Sequence, residues 1–261
     1  MMTFLLLMSL AVVPQTLPDL DRILLPVVTR TPVAGANGSI WESVVTIRNA
    51  SDESILFFPV DCPPPILERL CAETPGTALS PGVTKRVDLF VPDRQVSPVF
   101  LNVTKALADR VFVQLRVHDL SRQAESFGTE IPVVRASEMK TTRGEILDIP
   151  TDPRFRLTFR LYADKVERES ELVVRFVNES TSESREVRLS VLPLPAEIPL
   201  DEPIITPPLY REITDFQSYT ELHDADRVRV EIEPQAAGVR YWAFVSVTNN
   251  DTQQFTTLTV H

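Results

Sequence analysis

The sequence predicts an all-β protein that consists of two antiparallel β-sandwiches in tandem, of the Ig-like or jelly-roll type, with about seven strands each and very little helix. Short apolar segments alternate with period 2, as in Val111–Val117, where every second side chain faces the same way. The chain has 261 residues with 22 Pro and only 7 Gly, a composition typical of short strands joined by stiff loops. The strand pattern starts again after residue 152, which indicates a second sandwich.

The first sandwich is predicted over residues 19–136. Pro26 interrupts its first strand, and because proline has no backbone N–H, it requires an edge position or a bulge there. The predicted strands of this sandwich cover residues 22–30, 39–48, 55–60, 83–91, 99–103, 111–117 and 127–135.

Residues 137–152 are predicted to form a linker and the first edge of the second sandwich, since their middle is polar. The second sandwich, residues 153–261, ends in the clearest hairpin of the chain, in which Asn249, Asn250 and Asp251 supply the turn. Its predicted strands cover residues 154–162, 172–177, 186–192, 207–213, 227–232, 241–248 and 255–260.

The two predicted sandwiches resemble each other along the chain. Thr46–Asn49 resembles Arg175–Asn178, and a turn with Ser and Glu follows each. Arg86–Val91 resembles Arg227–Ile232, and residues 111–134 resemble the C-terminal hairpin. These matches predict a duplication, although any two β-sandwiches share patterns of this kind. A different strand order in the two halves would contradict it.

The N-terminal residues 1–18 are predicted to be a signal peptide and leader. The apolar run Phe4–Val13 has the length of a signal-peptide core and is too short to span a bilayer. The alternative interpretation is a buried first strand. A signal peptide predicts a secreted, periplasmic or cell-surface protein that does not span the membrane after cleavage.

The charge of the chain excludes some partners. The formal net charge is −10 and the pI is near 4.9, so nothing here neutralises a run of phosphates. The same charge disfavours adsorption to an anionic membrane. We therefore expect a soluble monomer whose partner is a protein or a glycan, and not nucleic acid.

Cys62 and Cys71 lie nine residues apart around a run of three prolines. In an exported chain, two cysteines this close are most simply a disulfide that closes a small loop. Two free thiols are the alternative. A metal site would need further ligands, and no His lies near either cysteine in the sequence.

The sequence offers no recognisable catalytic centre. The histidines are His118, His223 and His261, and no G-x-S-x-G motif occurs. Paired carboxylates could cleave glycosides, but the acidic residues cluster in predicted turns, where exposure to solvent explains them better. We therefore predict a protein that is not an enzyme and needs no cofactor.

One acidic segment could bind calcium. Glu221, Asp224 and Asp226 precede a predicted strand and could offer side-chain oxygens to Ca²⁺. Calcium takes about six or more oxygens, and the sequence identifies only these three side chains. The alternative interpretation is a polar turn before Arg227.

Exposed aromatic residues could stack on sugars. Tyr210 and Tyr219 flank the proline-rich residues 193–208 and are the candidate ligand-binding pair. Trp41 and Trp242 are predicted to be core residues, because tryptophan in a small sandwich is usually largely buried.

Three phrases of the sequence carry a resemblance, namely those at Phe127–Val134, Val45–Asn49 and Trp242–Asn250. They resemble uncharacterised bacterial exported proteins built of tandem Ig-like β-sandwiches. This resemblance implies secretion and the fold, and it implies no active-site residue. The two-sandwich layout is also similar to periplasmic pilus chaperones, which use basic anchor residues in an interdomain cleft. The sequence singles out no such anchors.

The function expected from these observations is that of a non-catalytic exported protein, an interaction or structural module that binds through loops or a sheet edge. A carbohydrate-binding module is the alternative, and it predicts a coplanar pair of exposed aromatic rings. A two-domain periplasmic chaperone-like protein is the second alternative, and it predicts a basic cleft between the sandwiches.

Overall fold

A computed structural model describes residues 20–57, 77–87, 96–122, 127–164, 168–191, 209–214 and 227–261. Several predicted features lie outside these residues, namely the signal peptide, Cys62, Cys71, Tyr219, and the calcium candidates Glu221, Asp224 and Asp226. The disulfide and the calcium site therefore stay predictions.

The predicted all-β class is confirmed, because the described chain consists of antiparallel sheets and only short 3-10 turns. The strands of the first group are β1 (Leu20–Thr29), β2 (Val33–Ala34), β3 (Ile40–Asn49), β4 (Ile55–Phe57), β5 (Thr77–Leu79), β6 (Thr84–Val87), β7 (Val96–Thr104), β8 (Val111–Asp119), β9 (Thr129–Ile131) and β10 (Val134–Arg135). The 3-10 turns cover Ala36–Gly38, Lys105–Arg110, Leu120–Arg122 and Ala136–Glu138.

The second group of strands follows the turn at Ala136–Glu138. Its strands are β11 (Gly144–Pro150), β12 (Phe155–Ala163), β13 (Ser170–Asn178), β14 (Ser184–Val191), β15 (Leu209–Ile213), β16 (Arg227–Pro234), β17 (Tyr241–Asn249) and β18 (Phe255–Thr259). Strand β11 falls within the predicted linker and forms the edge of a sheet beside β16. The predicted domain boundaries themselves stay predictions.

One sheet of each group has the same strand order. One sheet of the second group runs β15-β12-β17-β18, and β6, β3, β8 and β9 follow in the same order in the first group. The other sheet of the second group runs β11-β16-β13-β14, whereas in the first group β10, β1 and β7 form one sheet and β4 and β5 form a separate pair, with β4 close to β7. Among the described residues, no strand of the first group pairs with one of the second.

Residues 111–134 and the C-terminal hairpin correspond in this order, as β8-β9 and β17-β18, whereas the other two predicted matches do not. Thr46–Asn49 lies in β3, which pairs with β8, whereas Arg175–Asn178 lies in β13, which pairs with β14 and β16. The counterpart of β3 is β12, and the counterpart of β6 is β15 rather than β16. The similarity of Thr46–Asn49 to Arg175–Asn178 reflects the same kind of turn. Asn49 and Asn178 each accept a hydrogen bond from the backbone N–H two residues further on.

The predicted C-terminal hairpin is confirmed. Strand β17 pairs with β18 in antiparallel register, from Thr248 opposite Phe255 to Phe244 opposite Thr259. The Asn249 side-chain Oδ1 accepts hydrogen bonds from the backbone N–H groups of Asp251 at 2.8 Å and Thr252 at 3.0 Å. The Asn side chain therefore fixes the turn, as its residue type predicts.

Prolines interrupt two strands of the first group. The pairing of β1 with β7 shifts between Leu25 and Val28, so the predicted bulge at Pro26 is confirmed. The predicted strand 127–135 is two strands instead, with β9 beside β8 and β10 beside β1. Pro132 lies between them and cannot donate to a ladder. Such interruptions give ten and eight short strands in the described chain, where about seven each were predicted.

The core lies between stacked sheets. In the second group, the Phe159 ring of β12 meets the Phe176 ring of β13 edge to face, with ring centroids 5.9 Å apart. Because β12 and β13 belong to different sheets, this contact joins the inner faces of those sheets. Buried apolar side chains form one continuous core through both groups.

Candidate functional site

A buried carboxylate joins the two groups of strands. Asp164 follows β12, and its side chain is fully buried. The Nη2 atom of Arg22, on β1, donates to both Asp164 oxygens, at 2.7 and 2.5 Å. Arg240 Nη2 lies 2.8 Å from Asp164 Oδ2. One carboxylate therefore holds a cation from each group, which fixes the first group against the second.

Aromatic rings extend this junction across the outer face of the β15-β12-β17-β18 sheet. The Tyr162 ring stacks between Tyr210 at 5.3 Å and Trp242 at 5.8 Å. The Tyr162 hydroxyl donates to the carbonyl oxygen of Pro26 in the first group at 3.1 Å. Burial raises the pKa of Tyr162 well above its ordinary value, so the hydroxyl stays protonated as this hydrogen bond requires.

The outer face of the β15-β12-β17-β18 sheet is open to solvent and more polar beyond the aromatic rings, at residues 156–160 of β12 and 244–248 of β17. Alternate residues of β12 and β17 face outward, and register pairs Arg160 with Phe244, Thr158 with Ser246 and Arg156 with Thr248. A cleft of about 390 Å³ lies over these residues, with Glu212 of β15 and Phe255 of β18 at its sides. The outer face of this sheet therefore forms the floor of a cleft between the two groups.

Apolar side chains of the first group form the opposite wall of this cleft. They include Val27, Val33, Ala34, Trp41, Val96, Val117 and Ile131. Trp41 Nε1 donates to Ser39 Oγ at 2.9 Å, and its ring meets the Phe255 ring edge to face at 5.5 Å. A Cβ atom at Gly35 would collide with the Trp41 indole, so the loop after β2 can cover this ring only because residue 35 is glycine.

A smaller and more polar pocket of about 290 Å³ lies on the other side of the Trp41 and Phe255 pair. Asp119, Arg122, Phe127 and Gln253 are among its lining residues. The groove between the two groups therefore has an apolar section and a polar section, and the two aromatic rings divide them.

The two arginines of the cleft floor differ in their partners. Arg160 Nη2 lies 2.7 Å from Glu212 Oε1, and Arg160 Nη1 donates to Ser246 Oγ at 3.1 Å. Arg156 instead donates to two amide oxygens, those of Asn250 and Gln253, each at 3.3 Å. Its charge is therefore not neutralised by a carboxylate in the described part of the chain.

Two histidines, His118 and His261, lie in the described part of the chain, and neither lines the cleft. His118 lies on the outer side of β8, where the centroid of its imidazole is 6.2 Å from that of the exposed Phe127 ring. Burial lowers the pKa of His118, and the neighbouring Arg116 and Arg86 lower it further, so the imidazole is neutral near pH 7. The described residues contain no group of His, Cys, Asp and Glu side chains that could hold a metal ion.

The predicted aromatic residues occupy three different environments. Trp242 is buried, as predicted, with 6% of its surface exposed. Trp41 is half-buried, with its ring packed against the core on one side and lining the cleft on another, so its prediction as a core residue holds only in part. Tyr210 is half-buried with one face on Tyr162, and burial raises its pKa to about 12. One face of the Tyr210 ring is therefore already covered and cannot stack on a sugar.

Sequence reasoning missed the two cleft arginines. The segment Arg154–Tyr162 alternates charged and apolar residues, and this pattern places Arg156, Thr158 and Arg160 on the face opposite the core. The pattern identifies a polar outer face. It does not show that the first group of strands covers this face, because that contact depends on the tertiary arrangement.

Comparisons with protein-family models, with curated proteins and with solved structures find no match for this chain. The resemblance to bacterial exported proteins therefore stays a prediction. No helix in the described part of the chain is long and apolar enough to cross a membrane.

The polar pocket contains a carboxylate, that of Asp119, whose contribution to the stability of the fold we expect to depend on pH. Asp119 is buried and accepts hydrogen bonds from the backbone N–H of Ile40 at 3.1 Å, from Ser121 Oγ at 2.6 Å and from Arg122 Nη1 at 2.7 Å. Burial acts to raise the pKa of Asp119, but these hydrogen bonds outweigh it and hold the pKa below its ordinary value. The Asp119 carboxylate therefore stabilises the folded state at pH values above its ordinary pKa. This contribution is lost as the pH falls through the lowered pKa of the folded state.

We expect Asp119→Asn to reduce the free energy of unfolding by roughly 1–3 kcal/mol at pH 7, because the charged acceptor is lost. Urea unfolding at pH 7 and pH 3 measures this effect, and the gap between wild type and variant should narrow at pH 3. Asp109→Asn is the matched control, since Asp109 is almost fully exposed beside Arg135. An equal gap at both pH values would contradict the role of the Asp119 carboxylate.

Proposed function

We propose that this chain is a non-catalytic exported interaction module that binds its ligand in the cleft between the two groups of strands. The observation that carries this proposal is the cleft of about 390 Å³, open to solvent, with mainly apolar walls and a few polar groups on its floor. Ligand sites in proteins are typically concave and apolar, with a small number of placed polar groups. Their position between packed units is also common.

The aromatic geometry favours this function over a carbohydrate-binding module. Sugar stacking requires open ring faces, and the alternative predicted a coplanar exposed pair. Trp242 is buried, Tyr210 leans on Tyr162, and Trp41 meets Phe255 at an interplanar angle of 81°. These described rings are therefore arranged as parts of walls rather than as a flat platform.

A chaperone-like function is the second candidate, and one observation favours it. Arg156 and Arg160 place two cations in the cleft, as this alternative predicted for a basic cleft. Glu212 neutralises Arg160, however, and the edge strand β9 has only three residues. A donor for strand exchange needs a long alternating strand, so a binding module is the better account.

Binding of N-phenyl-1-naphthylamine, a neutral dye that fluoresces in apolar sites, tests the cleft directly. We expect wild-type protein to bind the dye, and Ala34→Phe to lose most of this binding, because Ala34 is exposed and lines the cleft. Ser190→Phe is the matched control, since Ser190 is exposed on β14 and does not line the cleft. Equal dye binding by Ala34→Phe and wild type would contradict the proposal.

A further inference from the structure

We infer that the cleft selects a ligand with an apolar body and one carboxylate, and that the Arg156 guanidinium binds this carboxylate. The inference rests on the proposed function, because it assigns the chemistry of the ligand in the same cleft. It follows from the charge of Arg156, the hydroxyl groups beside it and the apolar wall opposite.

Arg156 is a cation without an anionic partner in the part of the chain that the structure describes. Its two hydrogen bonds go to neutral amide oxygens at 3.3 Å, which is longer than the usual N–H···O distance. The guanidinium is planar and carries five donors, so it retains capacity for a bidentate contact with a carboxylate. A half-buried guanidinium in an apolar cleft favours an anionic ligand over a neutral one.

The other arginines near the cleft are already paired, and Arg22 and Arg240, which share one carboxylate, do not line it. Arg160 pairs with Glu212, and Arg22 and Arg240 pair with Asp164. The charge available to a ligand in the cleft is therefore that of Arg156. A single cation selects one anionic group rather than a polyanion.

Two hydroxyl groups adjoin Arg156 on the same face of the sheet. Thr248 is the cross-strand partner of Arg156, and Thr158 is two residues further along β12. Within the described residues, neither side-chain hydroxyl has a hydrogen-bond partner, so both can donate to an oxygen of the ligand. Together with the guanidinium they form a donor set suited to an oxyanion.

The rest of the cleft suits an apolar body. Val27 and Trp41 face the floor from the first group, and Phe244 and Phe255 flank the polar residues on the sheet. These side chains offer few hydrogen-bond partners to a hydrated ligand, whereas an alkyl chain gains free energy by leaving water. A fatty carboxylate combines both requirements.

Displacement of N-phenyl-1-naphthylamine by decanoate and by decan-1-ol tests this inference, because the two probes differ in the head group. We expect wild-type protein to bind decanoate about tenfold or more tightly than decan-1-ol, as a charge-assisted hydrogen bond provides. Arg156→Gln should weaken decanoate binding about tenfold and remove this preference, and a far-UV circular dichroism spectrum like that of wild type shows that the variant is folded. Arg154→Gln is the matched control, since Arg154 is exposed, pairs with Asp152 and does not line the cleft.

Other results of this experiment would contradict the ligand class, the assignment to Arg156 or the proposed function, each in a distinguishable way. If decanoate and decan-1-ol compete equally, or neither displaces the bound dye, the inferred ligand class is wrong while the cleft remains a binding site. If Arg156→Gln keeps the preference for decanoate, the assignment to Arg156 is wrong. If wild-type protein does not bind the dye at all, the proposed function itself fails.

Discussion

Replacement of Asp164 by asparagine is expected to lower the free energy of unfolding by about 3 kcal/mol, among the largest effects of any single substitution in this chain. The carboxylate is buried and binds two arginines, so the substitution removes the anion that both of them share. The expected value is at the lower end for a broken buried pair, because Arg22 and Arg240 retain partial access to water.

Urea unfolding at pH 7 measures this effect, and Asp152→Asn provides the matched control. Asp152 also binds an arginine, Arg154, but both side chains are exposed to solvent. We expect no measurable shift of the unfolding midpoint for this control, since exposed pairs contribute little. Equal midpoints for Asp164→Asn and wild type would contradict the role of Asp164 at the junction.

Removal of the Trp242 side chain is the second large expected effect. Trp242→Ala should cost about 3–5 kcal/mol, because it leaves a cavity in a close-packed aromatic cluster. The Trp242 ring packs on Tyr162 at 5.8 Å and on Phe244 at 5.3 Å, and these rings form part of the contact with the first group. The loss should therefore weaken both the second group and its junction with the first.

Trp41→Ala is the informative comparison for Trp242→Ala. Trp41 is half-buried and lines the cleft, so we expect a smaller loss of stability and a larger loss of dye binding. Urea unfolding and titration with N-phenyl-1-naphthylamine give the two quantities. The distinction between a core and a cleft tryptophan would be wrong if Trp41→Ala were the more destabilising variant, or if it kept full dye binding.

The sequence predicts those parts of the fold that depend on local chemistry. Alternation predicts the strands, the missing N–H of Pro26 predicts the bulge in β1, and Asn249 predicts the last turn. The matching of Thr46–Asn49 with Arg175–Asn178 fails for the same reason, because local turn chemistry recurs in strands that occupy different places.

The cleft could not be predicted in this way, because its parts come from distant segments. Arg156 and Thr158 are recognisable as an outward face of β12, but Trp41 and Val27 reach that face only through the packing of the two groups. The half-burial of Trp41 has the same origin, since Gly35 lets a loop cover one side of the ring while the cleft leaves another side open. Such contacts have no signature in a single strand.

Asp164 fixes the first group of strands to the second, because its carboxylate binds Arg22 of the first group and Arg240 of the second. A double-mutant cycle of Arg22→Gln and Asp164→Asn, measured by urea unfolding, tests this claim most directly. The structure predicts a coupling energy of about 1–3 kcal/mol between the two residues, as for groups in direct contact. Additive effects of the two substitutions, with no coupling energy, would contradict it.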